Sequence, residues 1–244
     1  MKPVITYENL RSFAYSNDKS IKGEIRGVCV DFFGLGGDSM FDADTDNGKG
    51  LADLGIINII PYYNPWAWMN RQSVEYADEI IDVIYAHYDL PENTPLVYTG
   101  GSMGGLSALV FTKYSKRTPT ACFASCPVCD LPFHYTERPD LPRTLYSAFG
   151  CYDAETLEDA LVTASPLHLA KAGKMPDTKY VIFHSDADSC VNIHAHSEKL
   201  VAEMKRLGMD VDYHIIPGRD HCDLGTAGFL EWGRLIRSFY GYTE

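Results

Sequence analysis

Pro95-Leu96-Val97-Tyr98-Thr99-Gly100-Gly101-Ser102-Met103-Gly104-Gly105-Leu106 is the stretch that decides how this chain is read. Gly100 to Gly104 fit a G-x-S-x-G pattern, with a strand-like apolar run before them and a helix-like run after them. The pentapeptide alone is common, and the strand-turn-helix setting is what makes it informative. A serine at a sharp strand-to-helix turn is held in a strained backbone. The positions two before and two after it must be small, so that strand and helix can cross closely. Gly100 and Gly104 meet that need. The competing readings are an ordinary glycine-rich turn and a phosphate loop, and the latter lacks its lysine here.

A nucleophilic serine needs a general base oriented by a carboxylate, and after such a turn these follow in the order Ser, Asp or Glu, His. Tyr180 to His184 form an apolar run that opens into Ser185-Asp186-Ala187-Asp188-Ser189-Cys190-Val191-Asn192. Asp210 to Ile216 then alternate as a strand, Pro217-Gly218 break it, and Arg219-Asp220-His221 precede a final helix-like segment. Together these segments resemble the α/β-hydrolases, close to the dienelactone-hydrolase and prolyl-oligopeptidase branch, whose acid loop often reads H-G-x-x-D-x-x-V-P. In this chain Ser185 replaces the glycine and Asn192 the proline. The resemblance implies Ser102 as nucleophile, His221 as base and Asp188 as the acid that orients it. Asp186 and Asp220 are the other candidates for the acid.

The resemblance extends upstream. Val28-Cys29-Val30-Asp31-Phe32-Phe33-Gly34-Leu35-Gly36-Gly37 is similar to the strand and H-G-x-G-G turn that supply an oxyanion donor, with Phe33 where histidine is usual. It implies the Leu35 N–H as one donor. The second is the N–H of Met103, which begins a helix and so lacks an intrahelical partner.

A coarse pass along the chain alternates strands with helices, which predicts a mostly parallel central sheet with helices on both faces. Strand-like runs are Ile25–Phe33, Ile56–Ile60, Leu96–Thr99, Thr120–Ala124, Lys179–His184 and Val211–Ile216. From Val74, the positions Ala77, Ile81, Ile84 and Tyr88 share one helix face, ending near Leu90-Pro91. From Ser197, Leu200, Val201, Met204 and Leu207 do the same, and Gly208 suits a C-terminal cap. The longest irregular stretch, Cys126 to His168, is where an α/β-hydrolase commonly carries a cap. It is too short for a second domain, so one domain over residues 1–244 is expected.

Composition narrows the partners. A net charge of −12 argues against nucleic acid and anionic membranes, since a phosphate-tracking surface needs clustered Lys and Arg. The start, Met1 to Leu10, has no long apolar core after a basic residue, and no run approaches the roughly 18 apolar residues of a spanning helix. Seven cysteines, an odd number, fit reduced thiols better than a disulfide framework, and a cytoplasmic enzyme is the expectation.

Rival chemistry fits less well. Cys122, Cys126 and Cys129 match an iron-sulfur spacing, and Cys126-Pro127-Val128-Cys129 a redox pair, but Cys122 lies in a strand-like run and Pro132 follows too soon for a redox helix. His134 would complete a Cys3His zinc set only if one short segment wrapped the metal alone. These thiols are read as structural. Asp42, Asp44, Asp46 and Asp53 imitate a calcium loop, with Asn47 where glycine is needed and no glutamate at the last position. His194, His196 and His214 are read as structural or surface residues.

The expected activity is hydrolysis of a small carboxylic ester through an acyl-serine intermediate, with no metal or organic cofactor. Trp66, Trp68, Phe133 and Tyr146 are the candidate substrate contacts, and a short-chain or aryl ester suits them. The alternatives are a prolyl-oligopeptidase-like peptidase, for which this chain has no residues to build the usual propeller, an acyltransferase on the same triad, and a non-catalytic binding protein of the same fold. The sequence leaves the oligomeric state open.

Overall fold

In a computed structural model that describes residues 4–243, seven strands form one sheet in the order β1-β3-β2-β4-β5-β6-β7. The strands are β1 (Ala14–Ser16), β2 (Gly27–Phe32), β3 (Ile56–Pro61), β4 (Leu96–Gly101), β5 (Ala121–Ser125), β6 (Lys179–Ser185) and β7 (Val211–Ile216). Only β1 runs antiparallel to its neighbour, pairing Tyr15 with Ile60, and every other pairing is parallel. The first residues of the amino-terminal stretch, Met1 to Pro3, lie outside the described residues. This is the mostly parallel sheet that the alternation of elements predicts, and the α/β-hydrolase arrangement that the resemblance implies.

The central strands read as continuous apolar runs because both faces of the sheet are covered. Val28, Val30, Phe32, Tyr98, Cys122, Ala124, Tyr180 and Ile182 face one core, and Cys29, Val97, Ala121, Phe123, Val181 and Phe183 the other. That two-residue alternation is the pleat itself. The first core is closed by α2 (Arg71–His87), α3 (Met103–Tyr114) and α8 (Ser197–Arg206), the second by α1 (Asp46–Asp53) and α9 (Gly225–Ser238). In α2 the side chain of Asn70 accepts the Ser73 N–H at 3.0 Å, which starts the helix one turn before the apolar face becomes readable. Just past α8, Leu207 is 40 % exposed and so departs from the predicted buried face, while Gly208 takes the left-handed conformation (φ +73°) expected of it.

Two sequence expectations change. β1 has only three residues and no readable alternation; Asn17 secures it, accepting the Asn58 N–H and donating to the carbonyls of Gly48 and Ile56. The stretch Cys126–His168 is helical rather than irregular: α4 (Leu131–Glu137), α5 (Leu141–Phe149), α6 (Ala154–Thr163) and α7 (Pro166–Lys171) follow one another between β5 and β6. Pro132, which reads as coming too soon for a helix, sits with Pro142 and Pro166 in the first turns of α4, α5 and α7, where a missing N–H costs nothing. These helices bury Leu131, Leu141, Leu145, Leu157 and Leu161 against the first core and form the cap.

The acidic segment is structural. Asp44 accepts hydrogen bonds from Tyr15 and Ser20, and Asp46 and Asp53 begin and end α1, so the four carboxylates do not surround a common point. Among the described residues no helix is long and apolar enough to cross a membrane.

Candidate active site

Ser102 stands between β4 and α3 with φ +59° and ψ −123°, a region that non-glycine residues rarely occupy. The glycines around it are required by contact. A Cβ on Gly100 would come within 2.4 Å of the Gly104 carbonyl oxygen, and one on Gly104 within 2.0 Å of the Phe32 oxygen, both backbone atoms that cannot yield. The turn is pinned to the next strand by the Ser102 N–H donating to the Ser125 carbonyl at 2.9 Å.

The loop after β2 lies against this turn: a Cβ on Gly34 would be 3.7 Å from Ser102 Cβ. The Gly36 N–H is taken by Pro65 and the Gly37 N–H by Gly34, both at 3.0 Å, which shapes the loop around Leu35. Among the described residues, no backbone carbonyl engages the N–H of Leu35 or of Met103, the two donors expected for an oxyanion. Phe33, standing where histidine is usual, stacks on Tyr63 with centroids 4.6 Å apart, and the Tyr63 hydroxyl donates to the Phe33 carbonyl.

Asp188 and His221 meet. His221 Nδ1 donates to Asp188 Oδ2 at 2.7 Å, which fixes the tautomer and leaves a lone pair on Nε2. The other oxygen, Oδ1, accepts the N–H groups of Cys190 and Val191, each at 2.8 Å. His184, fully buried, donates from Nε2 to the Val191 carbonyl at 3.1 Å and lies 3.3 Å from Asp188 Oδ2. Burial alone would raise the Asp188 pKa, but the hydrogen bonds from His184, His221 and the backbone outweigh it and hold the carboxyl far below its usual range. For His221 burial works downward, and the bond to Asp188 with its charge overcomes that and raises the pKa above the ordinary value.

The other acid candidates have different work. Asp186 is exposed and accepts the Gly218 N–H, bracing the turn after β7. Asp220 accepts from the Ser189 N–H, the Ser189 hydroxyl and the His221 N–H, and so latches the acid loop to the histidine loop. That latch was not legible in sequence, because its partners are 31 residues apart. No hydrogen bond joins Ser102 Oγ to His221 Nε2 among the described residues, and such bonds often tighten only when substrate binds.

The four candidate substrate contacts separate. Trp66 is 46 % exposed and lines a cavity of about 490 Å³ together with Tyr62, Tyr63, Tyr76 and Ser147. Trp68 is 1 % exposed and donates from Nε1 to Thr144 Oγ1 at 3.0 Å, so it anchors α5 and leaves no face for a ligand. Phe133 lies on α4 under the Lys199 ammonium, edge-on to His196, and Tyr146 packs edge-on against Tyr135.

The thiols also disperse. Cys122 is buried within β5, the Cys129 sulfur donates to the Pro127 carbonyl, and Cys126 turns instead toward Ser185 and Cys222. His134 pairs with Glu137, and His196 donates from Nε2 to the same carboxylate at 2.7 Å. His196 Nδ1 accepts the N–H groups of Cys129 and Asp130, so its Nε2 carries the proton and is not a metal donor. His194 pairs with Glu198 on the surface, and His214 stacks on Phe183.

No curated protein matches the chain. Among solved structures, it is similar to a puromycin-hydrolyzing peptidase of Mycobacterium tuberculosis (TM-score 0.73, 19 % identity, 91 % of this chain and 35 % of that one). It is also similar to a thermophilic esterase, Est2, of the Planctomycetes species Thermogutta terrifontis (TM-score 0.65, 19 % identity, 93 % and 85 %). A third is an acylaminoacyl peptidase of Pyrococcus horikoshii (TM-score 0.73, 14 % identity, 91 % and 37 %). The chain thus spans about a third of the two peptidases and most of the esterase. At these identities the likeness speaks for the fold. Residues 68–241, well over half of the chain, match the prolyl oligopeptidase family, a span that includes Ser102, Asp188 and His221: the chain belongs to the prolyl oligopeptidase family.

Proposed function

We propose that the protein is a serine hydrolase that cleaves small carboxylic esters through an acyl-enzyme. The observation that carries this reading is the 2.7 Å Asp188–His221 pair, latched by Asp220, on a loop whose Cys222 sulfur would be 3.3 Å from a Cβ on Gly101, next to the strained Ser102. Ser102 Oγ attacks the ester carbonyl while His221 Nε2 takes its proton. Asp188 keeps Nδ1 protonated and stabilises the imidazolium. The Leu35 and Met103 N–H groups donate to the tetrahedral oxyanion, each such donor being worth roughly 3 to 4 kcal/mol where it has been measured. The imidazolium returns its proton to the leaving alcohol. Water, activated by the same nitrogen, then releases the acid.

Size supports an ester of modest bulk. The cavity beside Trp66 holds about 490 Å³, lies next to the oxyanion loop through Tyr63 and Phe33, and suits a short acyl chain or an aryl ring. The likeness to the esterase Est2 supports the same reading. The second reading, a peptidase, draws on the family match. Phe133 and Tyr146 on the cap helices remain proposed substrate contacts, whereas Trp68 becomes a packing residue.

The test is a panel of aryl, short-chain and long-chain esters and prolyl amides, assayed with wild type and Ser102→Ala, alongside fluorophosphonate labelling. Wild type should label and hydrolyse the short esters, and Ser102→Ala should do neither. Labelling unchanged in Ser102→Ala would remove the mechanism.

A further inference from the structure

Two thiols 96 residues apart meet beside His221. Cys126 follows β5 with φ +44° and Cys222 follows His221 with φ +57°, so each is aimed by a turn that the surrounding structure enforces. Cys126 Sγ accepts the N–H groups of Ser185 at 3.4 Å and Cys222 at 3.3 Å, and donates to Ser185 Oγ. Cys222 Sγ lies 3.8 Å from His221 Nε2 and 3.8 Å from the Ser125 carbonyl oxygen. The two sulfurs and a ring nitrogen of His221 are all within 4.8 Å of one another. Cys190, the third thiol near this histidine, groups with Asp188 and His221 instead.

The pair is asymmetric. Cys126 is fully buried, whereas Cys222 is partly exposed and lines a cavity of about 440 Å³ between the sheet, α1 and α9, with Asp31, Gly101, Ser125 and Trp232. This gives Cys222 an approach for small solutes from behind the elbow. The Cys222 thiol and the backbone donors favour the thiolate of Cys126, which in turn, together with burial, disfavours that of Cys222. Cys222 therefore needs a base, and the lone pair on His221 Nε2 faces it.

We propose that Cys126 and Cys222 form an oxidisable pair that hydrogen peroxide closes into a disulfide, switching off the site by displacing His221. His221 Nε2 takes the Cys222 proton, the sulfur attacks one peroxide oxygen and the O–O bond breaks. The departing hydroxide recovers the proton as water and leaves Cys222 as a sulfenic acid. Cys126 sulfur then attacks Cys222 sulfur, the S–O bond breaks, and hydroxide leaves as water with the Cys126 proton. One peroxide thus oxidises two thiols to one disulfide and yields two waters. Bonding requires the sulfurs to close to about 2.05 Å. Because Cys126 is held in the core, the displacement falls on the Cys222 peptide, and His221 is directly bonded to it.

The experiment treats the reduced full chain with hydrogen peroxide in EDTA, blocks remaining thiols with N-ethylmaleimide and maps peptides by mass spectrometry. Ester hydrolysis is followed before and after dithiothreitol. The expected result is a peptide joining Cys126 to Cys222, an activity loss of at least tenfold, and its recovery on reduction. C222S should keep its own activity through the same treatment, and in C126S dimedone should trap Cys222. The proposal is overturned if Cys222 stays open to alkylation after peroxide, if the crosslink joins another pair such as Cys190, if it forms without loss of activity, or if C222S is inactivated like wild type. The loss of activity rests on the hydrolase reading, but the crosslink does not. A crosslink in a protein that hydrolyses no ester would therefore defeat that reading and leave the thiol chemistry standing.

Discussion

At the scale of single residues, the site is defined by which carboxylate owns the histidine. Asp188 has its side chain fully enclosed, one oxygen on His221 and the other on two backbone N–H groups, while Asp186 faces solvent and holds a turn. Asp188→Asn should lower kcat by about 10³- to 10⁴-fold, because an amide no longer fixes the tautomer. Asp186→Asn should cost less than about tenfold, a loss of under 1.4 kcal/mol in transition-state binding. Steady-state kinetics of the two variants decides it, and the reverse order would move the acid to Asp186. The raised pKa of His221 sets the pH response. The base works only when neutral, so activity should fall as pH drops through a value above the ordinary 6.5. A pH profile of kcat/KM measures that limb, and in the residual activity of Asp188→Asn it should move to lower pH, because the carboxylate that raises it is gone.

At the scale of elements, two contacts hold the site together. β4 and α3 cross so closely at the elbow that Gly104→Ala would drive a methyl into the Phe32 carbonyl. The variant should lose more than about 4 kcal/mol or fail to fold, as read from its denaturant midpoint and soluble yield. The second contact is Glu137, which ties cap helix α4 to His196, just ahead of α8, while pairing with His134. Burial would raise its pKa, but the two histidine bonds lower it to about 2 against an ordinary 4.5. A depressed carboxyl contributes stability above its unfolded value and loses it as pH falls, here from about 4.5 toward about 2. Glu137→Gln should therefore be less stable than wild type by about 1–3 kcal/mol at pH 7. The gap should shrink at pH 3, with urea midpoints at the two pH values as the measurement.

At the scale of the whole molecule, the sheet divides two cores and the helices between β5 and β6 cover one of them, leaving the Trp66 cavity next to the loop after β2, whose Phe33 stacks on the cavity residue Tyr63. A pocket of that size buries little of a long chain. Short-chain or aryl esters should therefore exceed long-chain esters and prolyl amides by at least about tenfold in kcat/KM, roughly 1.4 kcal/mol. Measured constants that favour a proline-containing amide would move the protein to the peptidase reading.

The family resemblance supplied the acid and the histidine, whereas the residues themselves showed the parallel strands and the elbow. Each of these depends on local rules: strands buried on both faces need unbroken apolar runs, and a tight crossing needs glycine two residues either side of Ser102. Boundaries within a residue or two, as for β6 and β7, follow from the same rules. The tertiary structure alone decided that Trp68 is an anchor while Trp66 is open, that prolines start the cap helices, and that Asp220 latches two loops. It also decided that the Cys126 sulfur meets Cys222, 96 residues on, while the sulfur of Cys129 turns to the Pro127 carbonyl. These outcomes depend on which loops meet at the carboxyl edge of the sheet, and contacts between residues tens of positions apart leave no periodicity to read.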